Sequence, residues 1–277
     1  MNSVGNADGS ANPRALLLAL LQAFDCTVPV QLLLRAAALF DIDDNRTRVA
    51  LHRLRSKGLI HSEERGSYRI SRGAAATSEV RSWRRTLDVV VPWGGAWVAA
   101  HTAPLPRADK TIARRRDRVC RQLGLRELQP GLLIRPDNLR GGTEAVRAQL
   151  WGQGLEREAP VFRLDQLGPY GEQAASLWDD LALDASYRRH TEGLTRLTLQ
   201  VRTMDPICAA RDAFLAGGAA VRDIVTDPLL PAPMVDPGLR EAFVETMVAF
   251  DEVARLVWSS VLDTDLHLTM APTVEPR

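Results

Sequence analysis

Cysteine is scarce in this chain of 277 residues: Cys26, Cys120 and Cys208 are few, odd in number and far apart. That argues against a disulfide framework and makes a reducing cytoplasm the expected location. No cysteine pair has metal-ligand spacing, and the histidines at 52, 61, 101, 190 and 267 are scattered too. The glycine-rich dinucleotide and P-loop fingerprints, HExxH and GxSxG are all missing. The chain is therefore not expected to be an enzyme, and no metal or cofactor is expected. No uninterrupted apolar run reaches about 18 residues, so no membrane span or membrane partner is expected. No basic start leads into a long apolar run with a small-residue cleavage site, so no secretory signal is read. Residues 1–12 are small and polar and are expected to be disordered. Charge of neither sign dominates: 35 Lys and Arg stand against 34 Asp and Glu, a net +1. What is present is length enough for two or three domains and 45% hydrophobic residues to fill their cores.

The most informative stretch is TVPVQLLLRAAALFDIDDNRTRVALHRLRSKGLIHSEERGSYRIS, from Thr27 to Ser71. A helix is predicted to start near Pro29, where a missing N–H costs nothing, with Thr27 as its cap. Val30, Leu33, Leu34, Ala37 and Ala38 give it one apolar face. Asp43 or Asp44 caps a second helix running to about Lys57, and Gly58 ends it. Thr47, Ala50, Leu51 and Leu54 form the packing face of that helix. Asn45, Arg46, Arg48, Val49, His52 and Arg53 fall on the opposite side or its flanks. A hairpin follows, Leu59–Glu63 and Tyr68–Ser71 around Arg65-Gly66. Helix, turn, helix and hairpin in this order read as a winged helix-turn-helix, preceded by a supporting helix at Pro13–Phe24. From Asp44 to Arg72 there are eight Lys or Arg against three Asp or Glu, so charge gathers where a DNA surface is expected. Asn45, Arg46, Arg48, His52 and Arg53 are the candidate DNA contacts on the second helix. Arginine suits guanine edges or phosphate, and asparagine suits adenine. Arg65 and Arg69, with Arg72, are the candidate wing contacts to phosphate.

Ala74–Ser82 reads as a linker or the start of a connecting helix. The pattern then alternates: strand Trp97–Ala103, helix Asp109–Leu123, strand Glu127–Arg135, helix Thr143–Trp151, strand Pro160–Leu164. Such alternation predicts a small ferredoxin-like α/β sandwich. The segment VVVPWGGAWVAA places a turn before its first strand. The helix Asp109–Leu123 carries Lys110, Arg114, Arg115, Arg116, Arg118 and Arg121, which suit a solvated face, a second contact with DNA backbone, or a clamp for an anionic ligand. Further helices are predicted at Leu177–Leu197, Ile207–Val225 and Pro237–Leu262, with Asp227-Pro228-Leu229-Leu230-Pro231 as the break between the last two. The expected class is α+β in three parts: residues 13–73, 83–167 and 172–262.

Four segments in order give a resemblance: DIDDNRTRVALHRLRSKGLI in the second helix, the Trp-Gly-Gly-x-Trp turn at Trp93–Trp97, the strand from Leu128 to Pro136, and the late SLWDDLALDASYRRH with TDPLLP. Over about residues 13–260 the chain resembles the PaaX-type repressors of bacterial phenylacetate catabolism. The resemblance implies an N-terminal winged helix, a middle domain like the CRISPR-associated Cas2 fold, and a helical C-terminal domain. It implies a homodimer on palindromic double-stranded operator DNA, released by an aromatic acyl-CoA or a related catabolic intermediate and not by the free acid. Trp93, Trp97, His101, Arg114, Arg115 and Arg118 are the candidate effector contacts, the arginines for phosphates and the tryptophans for the acyl group. Such tryptophans, Trp178 included, are more often core or interface anchors. Tyr187 and Arg188 suit either a pocket or solvent. The chain departs from the family at WVAAHTAPLP, which has His101 in the strand and no acid before the proline. That departure leaves room for an acyl group other than phenylacetyl. Two alternatives stand beside this reading. One is a DNA-binding protein without a small-molecule effector. The other is a Cas2-like metal-dependent nuclease, which would need converging carboxylates where Ala103-Pro104 stands.

Overall fold

A computed structural model describes residues 12–24, 27–62, 64, 66–71 and 83–262. The start of the chain up to residue 11, Cys26, Glu63, Arg65, Arg72, the 74–82 linker and His267 lie outside the described residues. The chain is mixed helix and sheet, as expected, with two small antiparallel sheets. It divides into two compact units. One holds the described residues up to Trp83, with Gly193–Val221 and those from Met247 onward. The other holds Arg84–Glu192 and Arg222–Thr246.

The first unit opens with α1 (Pro13–Phe24), whose first amides at Arg14 and Ala15 are taken by the Asn12 side chain. Leu16, Leu17, Leu20 and Leu21 recur on one face and are fully buried. Strand β1 (Val28–Pro29) leads directly into α2 (Val30–Ala38), and α3 (Asp44–Ser56) follows after a turn through Asp41. Thr27 is not the cap expected: Pro29 is the N-cap of α2 and makes no side-chain cap bond. The preceding residues are drawn instead into pairing with the hairpin, Val28 opposite Tyr68 and Pro29 opposite Ser67. Strands β2 (Ile60–His61) and β3 (Ser67–Ile70) complete a sheet of order β1-β3-β2. Leu33, Ala37, Leu51, Leu54, Ile60 and Ile70 join the α1 leucines in one buried cluster with Ala210, Trp258 and Leu262. Trp258 stacks on Phe40, and Phe214 meets both rings edge-on.

The second unit is built on a four-stranded sheet. Its elements run β4 (Trp97–His101), α4 (Lys110–Gln122), β5 (Arg126–Gln129), β6 (Leu132–Pro136), α5 (Gly142–Gln153) and β7 (Val161–Leu164). The order across the sheet is β5-β6-β4-β7, antiparallel throughout. The single strand expected over Glu127–Arg135 is in fact a hairpin. Pro130 and Gly131 turn the chain, and Gly131 takes φ +75°. The first strand ends at His101, two residues short of the expected Ala103, and Thr102 turns back through its N–H to the Gly131 carbonyl at 2.6 Å.

Both faces of the sheet are covered, because successive side chains alternate across it. Val98 and Ala100 pack with Val119 and Cys120 of α4 and Val146 and Leu150 of α5. Trp97, Ala99 and Ile134 point the other way, onto Ala174, Trp178, Leu230, Met234 and Val235. Ala174 belongs to the short α6 (Gly171–Ala175). Three long helices follow: α7 (Asp180–Gln200), α8 (Pro206–Thr226) and α9 (Pro237–Leu262). Helix α7 begins later than the expected Leu177, because Trp178 is used in the sheet's second core and Asp179 supplies its carboxylate to the Ala182 amide. No helix among the described residues is long and apolar enough to cross a membrane.

Gly131 admits no side chain. A Cβ there would lie 2.5 Å from Ala103 Cβ and 2.6 Å from its backbone nitrogen, at a φ that L-residues avoid. Gly131→Ala should destabilise the chain by about 1–3 kcal/mol, read as a lower urea midpoint. An unchanged midpoint would mean that the Ala103 segment yields freely.

Candidate nucleic-acid interface

Helix α3 is fixed from both ends and from one side. The Asp43 carboxylate accepts the Arg46 amide at 2.8 Å, an N-cap worth about 1 kcal/mol. Gly58, at φ +67°, lets the chain leave the helix. Thr47, Ala50, Leu51 and Leu54 are buried, and the Thr47 hydroxyl donates to the Asp43 carbonyl at 2.9 Å. These four residues hold the helix by its inner face.

Asn45, Arg46, Arg48, His52 and Arg53 are all exposed, as the helical period requires. Among the described residues none of these side chains has an ion pair or a hydrogen bond. At about 100° per residue, Asn45, Val49, His52 and Ser56 lie directly opposite the buried stripe. Arg48 stands to one side of that centre, and Arg46 and Arg53 to the other. Val49 is 41% exposed, a large apolar side chain in the middle of a polar face. Val49 and Arg55, also exposed, share the surface but are not among the candidates chosen from sequence; the same period locates them.

The hairpin supports α3 through its register. Ile60 pairs with Ile70 and His61 with Arg69. Arg69 is half-buried in β3, so it is less displayed than the residues of α3. The Gly66 carbonyl accepts the Val30 amide at 2.8 Å, tying the hairpin turn to the start of α2. Arg65 lies outside the described residues.

The six candidate effector residues are not brought together. Trp97 is buried, stacked on Trp178 at 6.2 Å between centroids, with Trp93 edge-on to it at 5.2 Å. The Trp178 indole donates to the Gly124 carbonyl and that of Trp93 to the Ala96 carbonyl. Trp97 and Trp178 are therefore core, and the apolar reading of them prevails over a ligand pocket. His101 is half-buried at the end of β4, on the same face as Trp97. Arg114, Arg115 and Arg118 are exposed on α4, which packs against the opposite face of the sheet. A single ligand held by these tryptophans and these arginines would have to pass through the sheet.

Arg116, read from sequence as part of the basic face of α4, is inside, and so is Arg135 of β6. Arg116 turns inward from the basic run to meet Glu156 through Nε and Nη2 and the Pro106 carbonyl through Nη2. Arg135 is buried under the loop after α8. Tyr187 is buried with its hydroxyl donating to Asp227 at 2.7 Å, whereas Arg188 is exposed. Burial pushes the Asp227 carboxyl above the usual carboxylate range and the Tyr187 hydroxyl well above the phenol range. These groups are parts of the frame and not of an open site. Among the described residues no group of three His, Cys, Asp or Glu is placed to hold a metal ion.

No protein-family model matches the chain, and no curated protein does. Among solved structures it is similar to the "uncharacterized protein Rv0674 from Mycobacterium tuberculosis", with 22% sequence identity and a TM-score of 0.58. The similarity spans 92% of this chain and 99% of that one, so the two share a fold over nearly their whole lengths.

Proposed function

We propose that this chain is a transcriptional repressor of PaaX type that binds duplex operator DNA through α3. The observation that carries the reading is the outer face of α3: exposed, basic at its flanks, with Asn45, Arg46, Arg48, His52 and Arg53 making no ion pair or side-chain hydrogen bond among the described residues. The helix–turn–helix–hairpin order of the first unit supports a winged helix-turn-helix reading in which α3 is the recognition helix. On this reading Asn45, Val49 and His52 face the bases, while Arg48 and Arg53 reach base edges or phosphates on either side. The β-α-β-β-α-β order of the second unit, with its two central strands β4 and β6, supports a ferredoxin-like, Cas2-like middle domain. Two copies reading equivalent half-sites would account for a palindromic operator.

Regulation belongs to the same proposal. An aromatic acyl-CoA, or a related catabolic intermediate, releases the DNA by binding more tightly to a form unable to engage the operator. The size of the response is set by the difference in affinity between the two forms. Its acyl pocket must be sought away from Trp97 and Trp178, which the sheet core already uses.

Electrophoretic titration of the promoter DNA beside the gene, at several salt concentrations, tests the reading. Arg48→Ala should weaken operator binding by about 1–3 kcal/mol if it makes a bidentate base contact. Arg69→Ala should weaken specific and random DNA alike and flatten the salt dependence. Wild-type protein that binds this promoter no better than random duplex would remove the repressor reading.

A further inference from the structure

We propose that the exposed face of α4 is a second phosphate-binding surface, and that its partner is the backbone of duplex DNA. Of the six basic residues on this helix, Lys110, Arg114, Arg115, Arg118 and Arg121 are exposed and only Arg116 is turned inside. Asp117 is the single acid of the helix, and Asp109 is occupied in capping it, accepting the Thr111 and Ile112 amides. Lys110, Arg114 and Arg118 have no ion pair or side-chain hydrogen bond among the described residues.

The spacing decides what kind of anion fits. Lys110, Arg114, Arg118 and Arg121 follow at steps of four, four and three, so they form one stripe about 16 Å long. Like charges at these steps repel, each pair costing the helix a few tenths of a kcal/mol. Lys110, in the first turn, also opposes the helix dipole. A polyanion laid along the stripe offsets both costs. The surface is the outer side of a helix, convex and open, which suits an extended ligand better than a compact one. A duplex presents a charge every ~1.7 Å along its axis, so a stripe of this length meets several phosphates at once. The tryptophans chosen as acyl contacts, Trp93 and Trp97, lie across the sheet, and Trp151 on this side is covered by Arg147 and Arg157, so the apolar half of a compact acyl-CoA has no place here. At the neighbouring helix end Arg115 lies against Gly154 and Arg157 sits over the Trp151 ring at 5.5 Å.

The choice of DNA as the polyanion rests on the function proposed above, and the test separates the two. Full-length wild type, the triple variant Lys110→Gln/Arg114→Gln/Arg118→Gln and the pair Arg48→Ala/Arg53→Ala are titrated with operator and with random duplex at several salt concentrations. The triple variant should lower the slope of log affinity against log salt by about 2–3, one unit or slightly less for each phosphate contact removed. It should weaken both duplexes by the same factor, leaving their ratio unchanged, with the thermal midpoint preserved. The α3 pair should instead collapse the ratio. A triple variant with the wild-type slope, beside an α3 pair that has lost binding, overturns the α4 proposal and leaves the repressor reading intact. An α3 pair that still discriminates the operator, beside a triple variant that has lost both duplexes, supports α4 and sinks α3 as the reader. With vesicles of acidic phospholipid titrated in parallel, a triple variant that loses only vesicle binding, with DNA binding unaltered, also overturns the proposal.

Discussion

Arg135→Ala should cost the second unit about 3–5 kcal/mol, the largest effect of any single replacement considered for this chain. The side chain is 2% exposed and each of its three guanidinium nitrogens donates a hydrogen bond. Nε donates to the Pro136 carbonyl at 3.1 Å and Nη1 to the Leu123 carbonyl at 2.7 Å. Nη2 donates to Asn138 Oδ1 at 3.1 Å and to the Pro228 carbonyl at 3.3 Å. Asn138, itself fully buried, passes the arrangement on by donating to the Leu229 carbonyl at 2.7 Å. Burial lowers the guanidinium pKa to about 10, yet it remains charged at neutral pH, with Asp137 and Asp227 as the nearby acids. Truncation leaves acceptors unsatisfied in a dry space and opens a cavity, and each stranded group costs about 1–3 kcal/mol. Urea denaturation followed by near-ultraviolet circular dichroism measures the loss. A change under about 1 kcal/mol would show that water replaces the guanidinium without penalty.

Glu156→Gln should remove about 3 kcal/mol and, with it, a part of the acid sensitivity. The Arg116 side chain is 3% exposed and that of Glu156 20%. Breaking such a pair strands a buried cation, and the partial exposure of the carboxylate places the loss at the lower end of the usual range. The hydrogen bond from Arg116 holds the Glu156 carboxyl below its ordinary value, against the opposing effect of burial. A carboxylate with a depressed folded-state pKa stabilises the fold at pH values above its unfolded pKa. That contribution fades as pH falls through the depressed value. The gap in stability between wild type and Glu156→Gln should therefore be constant above about pH 5 and narrow below it. A gap that stays constant down to the acid limit would mean that the pair contributes through packing alone.

The helices are largely legible in the sequence because their ends carry chemistry. Pro237 opens α9 where expected, Asp43 caps α3, and Gly58 follows it at positive φ. The hairpin at Pro130-Gly131 escapes a reading by pattern although its turn residues are in view. The apolar run LLIRP continues the preceding segment so smoothly that periodicity alone shows no break. The outer face of α3 is legible for the reason its inner face is: one period sorts both. Inward arginines are not legible. A basic residue on an amphipathic helix is nearly always solvated, and what draws Arg116 inside is Glu156, forty residues later. The core role of the tryptophans is among the readings of the sequence; what sequence distance hides is that Trp97 and Trp178 stack on each other, which needs the sheet's second face to close.

The clamp around the loop after α8 has a further consequence, for how sequences of this fold can vary. Arg135 and Arg240 donate to the main-chain carbonyls of Leu123, Pro136, Pro228 and Leu230, and Asn138 donates to that of Leu229. A carbonyl is the same whatever side chain stands beside it. Inheritance is therefore constrained unequally on the two sides of each bond. Positions 135, 138 and 240 must keep their donors, while an acceptor position is held only by its own packing and by the path of the loop: Leu230 is fixed by the core, whereas Leu229 need only keep its left-handed turn. Relatives should be recognised at this place by three conserved donors.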